Sequence, residues 1–167
     1  MYMTDCSTTF DIRRTTEADR TCIARLNFLT DVFGDESKTP SEGFKKETKV
    51  YVDGWDPKDD GLVAWDDTIP ADGTWLIWGD VENHGVGFID ERTPEIAIAI
   101  EQPYRGKGLT SQLLKEIVEL ARENGAPVVS LAVAPDNEHA KEVYEHLGFV
   151  PAEDGENNEY LTLIKKF

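Results

Sequence analysis

Apolar residues recur along the chain in two rhythms, every second residue or every third to fourth, and the switches between them lay out the elements. Phe10-Asp11-Ile12-Arg13 alternates as a short first strand. Thr16 and Asp19 have the spacing of a capping box. Behind them Cys22, Ile23, Leu26, Leu29 and Phe33 recur at helical spacing until Gly34 and Pro40 close the unit. Ser41 offers an N-cap for a second helix, Glu42 to about Tyr51, with Phe44 and Val50 on its apolar face. Asp53 to Asp60 is Gly, Asp, Pro and Lys, and predicts a loop. Leu62–Trp65 and Thr74–Trp78 are rich in aromatic and branched residues and predict strands, with Trp65, Trp75 and Trp78 expected in the core. From Gly79 to Pro94 runs a polar connection with Val86-Gly87-Phe88-Ile89 embedded in it, either a hairpin arm or a substrate-facing loop.

Beyond Pro94 the pattern sharpens. Glu95–Ile100 is the clearest strand: its three isoleucines share one face, and Glu95, Ala97 and Ala99 share the other. Gly106-Lys107-Gly108 interrupts, and then Leu109, Leu113, Leu114, Ile117, Leu120 and Ala121 trace a long amphipathic helix that Asn124-Gly125 ends. Val128–Val133 has the look of a buried strand. A helix follows from about Asn137 to Leu147, with Gly148 just past it, and Tyr160–Ile164 alternates as a last strand. Strands first and a strand–helix–strand–helix unit late predict an α/β or α+β fold, with at least one parallel strand pair in the C-terminal half.

Composition narrows the function. The 167 residues carry 33 Asp+Glu against 17 Lys+Arg, a net charge of −16. So negative a surface argues against nucleic acid or an anionic membrane as partner. It also fits a salt-adapted protein, although ten lysines weigh against that. No apolar run approaches the roughly 20 residues needed to cross a bilayer, and Met1–Cys6 has neither the basic nor the apolar region of a secretory signal. Two cysteines without ligand-like spacing point to no metal site and no disulfide framework. The expectation is one cytoplasmic domain over residues 1–167.

Two constellations carry chemistry. Arg105-Gly106-Lys107-Gly108-Leu109-Thr110-Ser111 lies where a strand hands over to a helix. Its glycines allow a tight turn with exposed N–H groups, and the helix start adds unpaired N–H groups and partial positive charge. Between Glu101 and Lys115, Arg105, Lys107 and Lys115 stand against one acid, a local +2 in an acidic chain. Such a turn suits a pyrophosphate. It is no Walker loop, because Lys107 precedes Gly108 and Glu101 stands where the first glycine belongs; nor is it a dinucleotide fingerprint, because Ser111 replaces the third glycine. In the second constellation, Asn137, Ala140 and Tyr144 share one helical face. Small Ala140 permits close approach, and the Tyr144 phenol can donate a proton; the plainer alternative is a helix cap and a core aromatic.

From Pro94 to Pro151 these residues resemble the acetyl-CoA-binding core of the GNAT superfamily of N-acyltransferases. Its phosphate motif, Arg/Gln-x-x-Gly-x-Gly/Ala, is matched by Arg105-x-x-Gly108-x-Thr110, with Thr110 departing at the last position. Asn-x-x-Ala-x-x-x-Tyr-x-x-x-Gly-Phe is matched throughout, from Asn137 to Phe149. The resemblance implies a mixed, mostly antiparallel central sheet with one splayed parallel strand pair, flanked by about four helices. It divides the chain into a substrate side, 1–93, and an acetyl-CoA-binding core, 94–151. It further implies that the turn Arg105, Gly106, Lys107, Gly108, Leu109, Thr110 and Ser111 holds the CoA pyrophosphate. The pantetheine arm would pair like an added strand with Ile98 and Ile100, Asn137 would contact that arm, and Tyr144 would protonate the departing thiolate. Glu95, on the small-residue face of its strand, is the candidate base, with water or His84 as the fallback. His139 and His146 are expected to be solvated. The reaction implied is acetyl transfer from acetyl-CoA to a primary amine of a small molecule or protein, without a metal. Transfer would be direct in a ternary complex, since no cysteine lies near the motifs to carry the acyl group. A catalytically silent acyl-CoA-binding sensor is the alternative, and a homodimer is compatible with either.

Overall fold

Residues 10–32, 34–58, 60–156 and 160–167 are described by the computed structural model, residues 153–156 by their backbone alone. Phe33 and the first nine residues, Cys6 among them, lie outside the described residues. The period-two runs form strands β1 (Asp11–Arg14), β2 (Gly61–Asp66), β3 (Ile69–Ile77), β4 (Glu95–Ile100), β5 (Val128–Val133), β6 (Val150–Glu156) and β7 (Leu161–Lys166). They join one sheet in the order β1-β2-β3-β4-β5-β7-β6. Every pairing is antiparallel except β4 with β5, which is parallel. The helices are α1 (Arg20–Asp31), α2 (Phe44–Thr48), α3 (Leu109–Glu123) and α4 (Glu138–His146).

Alternation on β4 divides the interior. Ile96 faces a core of Leu109, Leu113, Leu114 and Ile117 from α3, with Ile98, Ile100 and α4's Ala140, Val143 and Tyr144 packed against it. Ala97 and Ala99 face a second cluster, Ile23, Leu26, Tyr51, Val52, Trp55 and Trp75. Burying apolar faces on both sides of the sheet is what holds the layers together. The capping box forms as the spacing predicts: the Thr16 N–H donates to Asp19 Oδ2 at 2.7 Å, on a 3-10 turn, Glu17–Asp19, that leads into α1. Gly125 takes φ +90° after α3.

The second helix departs from the pattern. It begins at Phe44, not Glu42, and ends at Thr48, where a π turn, Lys49–Asp53, takes over. Ser41 does not cap it. Its N–H and hydroxyl both donate to the Asp31 carboxylate at the end of α1, which turns the side chain toward α1 instead of the start of α2. The wider winding brings two consecutive side chains, Tyr51 and Val52, into the core.

Two further differences have simple causes. Val150–Glu156 lacks any strand alternation, yet it pairs with β7; at the sheet edge, Pro151 needs no outward partner for its missing N–H. Of the three tryptophans, Trp75 is core, but Trp65 is half-buried beneath the Arg13 guanidinium, and Trp78 remains 38% exposed, donating to Asp60 Oδ1. An indole N–H needs a polar partner, which favours the rim.

β3 starts five residues earlier than its pattern predicts and carries Asp72, which the register sets between Ala64 of β2 and Ile100 of β4. Asp72 is wholly buried, neither carboxyl oxygen makes a well-formed hydrogen bond among the described residues, and only the adjacent Gly73 N–H works against the burial. Burial therefore holds its proton affinity far above the usual carboxylate range. In the unfolded chain the group ionises near pH 3.9. Between there and its raised folded value, the unfolded state alone loses the proton, so stability falls as pH rises. Asp72→Asn removes that titration while keeping shape. Urea denaturation at several pH values is expected to show the variant gaining on the wild type from pH ~4 to ~7; parallel curves would mean that Asp72 is not a buried neutral acid.

Candidate active site

β4 and β5 meet where the start of β4 lies against the middle of β5. Their one ladder pair is Glu95 with Ser130, beside a bond from the Ser130 N–H to the Pro94 carbonyl at 3.0 Å. Past it the strands part, and a cleft of about 360 Å³ opens between them. Ala97–Ile100 line one wall and Leu131–Ala134 the other. Asn137 and Tyr144 enter from α4, Arg105 and Thr110 from the turn before α3, and Asn27, Asp31, Glu47, Tyr51 and Val86 from the N-terminal half.

Along that cleft β4 has a ladder partner, β3, on one side only. The Ile98 and Ile100 side chains lean into the α3 core, so these two residues offer backbone, not side chain, to anything extended between the strands. At the far end, Gly106 and Gly108 take φ +78° and +75°, and Gly108 is the N-cap of α3. Both positions are open, with nothing within 4 Å of where a Cβ would stand. The first turn of α3 therefore presents N–H groups with no intrahelical acceptor, at the positive end of a 15-residue helix. Arg105 reaches across to Gly34, where a Cβ would overlap its guanidinium. Thr110 lines the cleft, whereas Lys107 is exposed outside it, half-buried Ser111 does not line it, and the Leu109 side chain is core. The residues present fit a diphosphate joined to an extended, amide-bearing chain.

Asn137 caps α4, its Oδ1 accepting from the Ala140 N–H at 3.2 Å, and it also lines the cleft. Tyr144 packs edge-on against Phe149 and lines the cleft. Burial, helped by Asp72, pushes its phenol up to about 12, so it remains protonated.

Glu95 is not a solvated strand end. It is 5% exposed, and burial pushes its carboxyl up to about 7. Two neutral donors oppose that rise: Tyr51 Oη donates to Oε2 at 2.6 Å, and the Gly87 N–H donates to Oε1 at 2.9 Å. His84 is exposed, stacked on Phe88 with ring centroids 4.5 Å apart, and does not line the cleft. His139 and His146 are exposed. Of the two forms open to residues 79–94, the structure takes the loop, which folds inward so that Val86 lines the cleft and Gly87 touches Glu95. Among the cleft residues that the sequence does not flag, which include Asn27, Asp31, Glu47 and Val86, Tyr51 is the one bonded to Glu95. At the end of a weak apolar stripe, nothing distinguishes it from a packing aromatic.

Comparison with known proteins converges on one family. The sequence model of the acetyltransferase (GNAT) family matches residues 32–149. Mycothiol acetyltransferase of Corynebacterium glutamicum (strain R) is 33% identical over 82 residues, 47% of this chain but only 28% of that relative's length. Two solved structures share the fold: yncA from Salmonella typhimurium with its cofactor acetyl-CoA, and the PaiA N-acetyltransferase from Thermoplasma acidophilum in complex with coenzyme A. The first has a TM-score of 0.67 at 17% identity, covering 95% of this chain and 94% of that one. The second has a TM-score of 0.63 at 16% identity, covering 95% and 99%. With the family model spanning most of the chain and the splayed parallel pair in place, this protein belongs to the acetyltransferase (GNAT) family.

Proposed function

We propose that the chain is an N-acetyltransferase that passes an acetyl group from acetyl-CoA directly to a primary amine in a ternary complex. The observation that carries this reading is that a buried carboxyl poised near neutrality, Glu95, and a protonated phenol, Tyr144, line one cleft at the point where β4 and β5 part. In this reading the N–H groups of the turn Arg105–Ser111 bind the CoA pyrophosphate, the backbone of Ile98 and Ile100 pairs with the pantetheine arm, and Asn137 contacts it. Asp31 and Glu47 line the cleft on the side of α1 and α2, which favours an acceptor that arrives as a cation.

An ammonium must lose a proton before it can attack. Glu95 takes that proton, and the nitrogen lone pair then forms the C–N bond at the thioester carbonyl. The C–S bond breaks, and the electron pair leaves on sulfur, which takes the Tyr144 proton. The second proton on nitrogen passes through solvent to restore Tyr144, and Glu95 releases its own to bulk, one proton net per turnover.

The reading is tested by thiol release from acetyl-CoA across a panel of primary amines. Coenzyme A alone should raise the melting temperature by mass action, and Gly108→Asp should abolish that rise by setting a carboxylate in the turn. Failure of every amine to elicit thiol release, alongside an intact thermal shift, would favour a silent acyl-CoA sensor. Glu95→Gln is expected to lower kcat/KM by ~10²-fold or more and to erase an acid limb near pH 7, below which the protonated base is inactive. A loss under threefold would hand the role to water. Tyr144→Phe should cost less, about 10- to 100-fold in the chemical step, because a thiolate with a pKa near 8–9 leaves tolerably unaided. Wild-type rates of thiol release in single turnover would make Tyr144 a packing residue.

A further inference from the structure

Tyr51 stands where three polar elements converge. Its main chain is pinned to the sheet by the Trp75 indole N–H, which donates to the Tyr51 carbonyl at 2.8 Å. Its ring packs in the cluster of Ile23, Leu26 and Trp75. Its hydroxyl donates to Glu95 Oε2 at 2.6 Å and accepts from the Val86 N–H at 2.9 Å. One residue later the Gly87 N–H donates to Glu95 Oε1 at 2.9 Å, and the Gly87 carbonyl accepts from Ser130 Oγ at 2.7 Å. The loop between β3 and β4 is thus tied down at consecutive residues onto the Tyr51–Glu95 pair and onto β5. Gly85 leaves no alternative: a Cβ there would overlap both Tyr51 Oη and Glu95 Oε1.

We propose that Tyr51 is the positioning residue of the Glu95 carboxylate, and that its hydroxyl, shared between Glu95 and Val86, latches the β3–β4 loop over the amine-binding end of the cleft. This rests on reading Glu95 as the base. The bond orients one carboxylate oxygen and leaves the remaining lone pairs for the incoming proton. A phenol suits the task. It is a strong, neutral donor in a buried O–H···O contact. It does not ionise, because burial and the neighbouring Glu95 hold it well above its ordinary value. Two further titratable groups act on Glu95: Glu47 from the α2 side favours its protonated form, and His84 in the loop favours the carboxylate. The carboxylate accepts from Tyr51 and from the Gly87 N–H, two uncharged donors. Burial would otherwise drive Glu95 further toward the protonated, inactive form.

The test reads Glu95 itself and needs no acceptor. The whole chain, labelled with carbon-13 at glutamate side-chain carboxyls, is titrated by NMR, and Glu95→Gln identifies the resonance. In the wild type the midpoint is expected at about 7. Tyr51→Phe should raise it by about one pH unit, a tenfold gain in proton affinity, while the coenzyme A thermal shift is kept. A midpoint within about 0.3 of the wild type overturns the proposal, because a ring that merely packs would not move a titration. Should Tyr51→Phe fail to fold, Val86→Pro decides. It removes the N–H that polarises the phenol, and a smaller upward movement is expected; none overturns the proposal. If Glu95→Gln keeps full acetyl transfer, the base assignment falls, yet the titration still reports whether Tyr51 holds the carboxylate.

Discussion

The parallel contact between β4 and β5 is a single residue pair, Glu95 with Ser130, and the site is built around where it stops. At the contact, the sheet is continuous and its interior dry, so a carboxyl placed there is desolvated. One residue further on, the ladder is gone and the two strands become the walls of a cleft. A longer ladder would close the cleft, and no ladder would leave Glu95 in water. Its altered acidity and its access to a ligand both follow from a sheet that is joined at one end and open at the other.

Charge is distributed to match. The chain is strongly acidic, but the turn before α3 concentrates Arg105 and Lys107 with the unpaired N–H groups of a helix start. The other side of the cleft carries Asp31 and Glu47. Apolar burial on both faces of β4 supplies the rigidity of that cleft wall. Its alanines, small on the face toward α1 and α2, keep the groove from filling.

Buried acids with different surroundings behave differently here. Asp72 has only the neighbouring Gly73 N–H to offset its burial, and its carboxyl is held toward the neutral form. Glu95 is as deeply buried, but two neutral donors return part of the lost hydration, which brings it near neutrality. Desolvation alone holds an acid in its protonated form; desolvation offset by donors leaves it able to titrate near ordinary pH.

By itself, the sequence determined the strand–helix rhythm after Pro94, the glycine turn ahead of α3, the capping of α4 by Asn137 and the face shared with Tyr144. These features are local: they depend on period, on positive φ at glycine and on residues within one or two turns of each other, all of which neighbours in the chain dictate. The choice between hairpin and inward loop for residues 79–94, the edge strand through Pro151, the retreat of Trp78 to the rim and the partnership of Tyr51 with Glu95 belong to tertiary structure. Tyr51 and Glu95 are 44 positions apart. No periodicity encodes a hydrogen bond between a π turn and a strand, since it exists only once the sheet has brought both to the end of one short parallel contact.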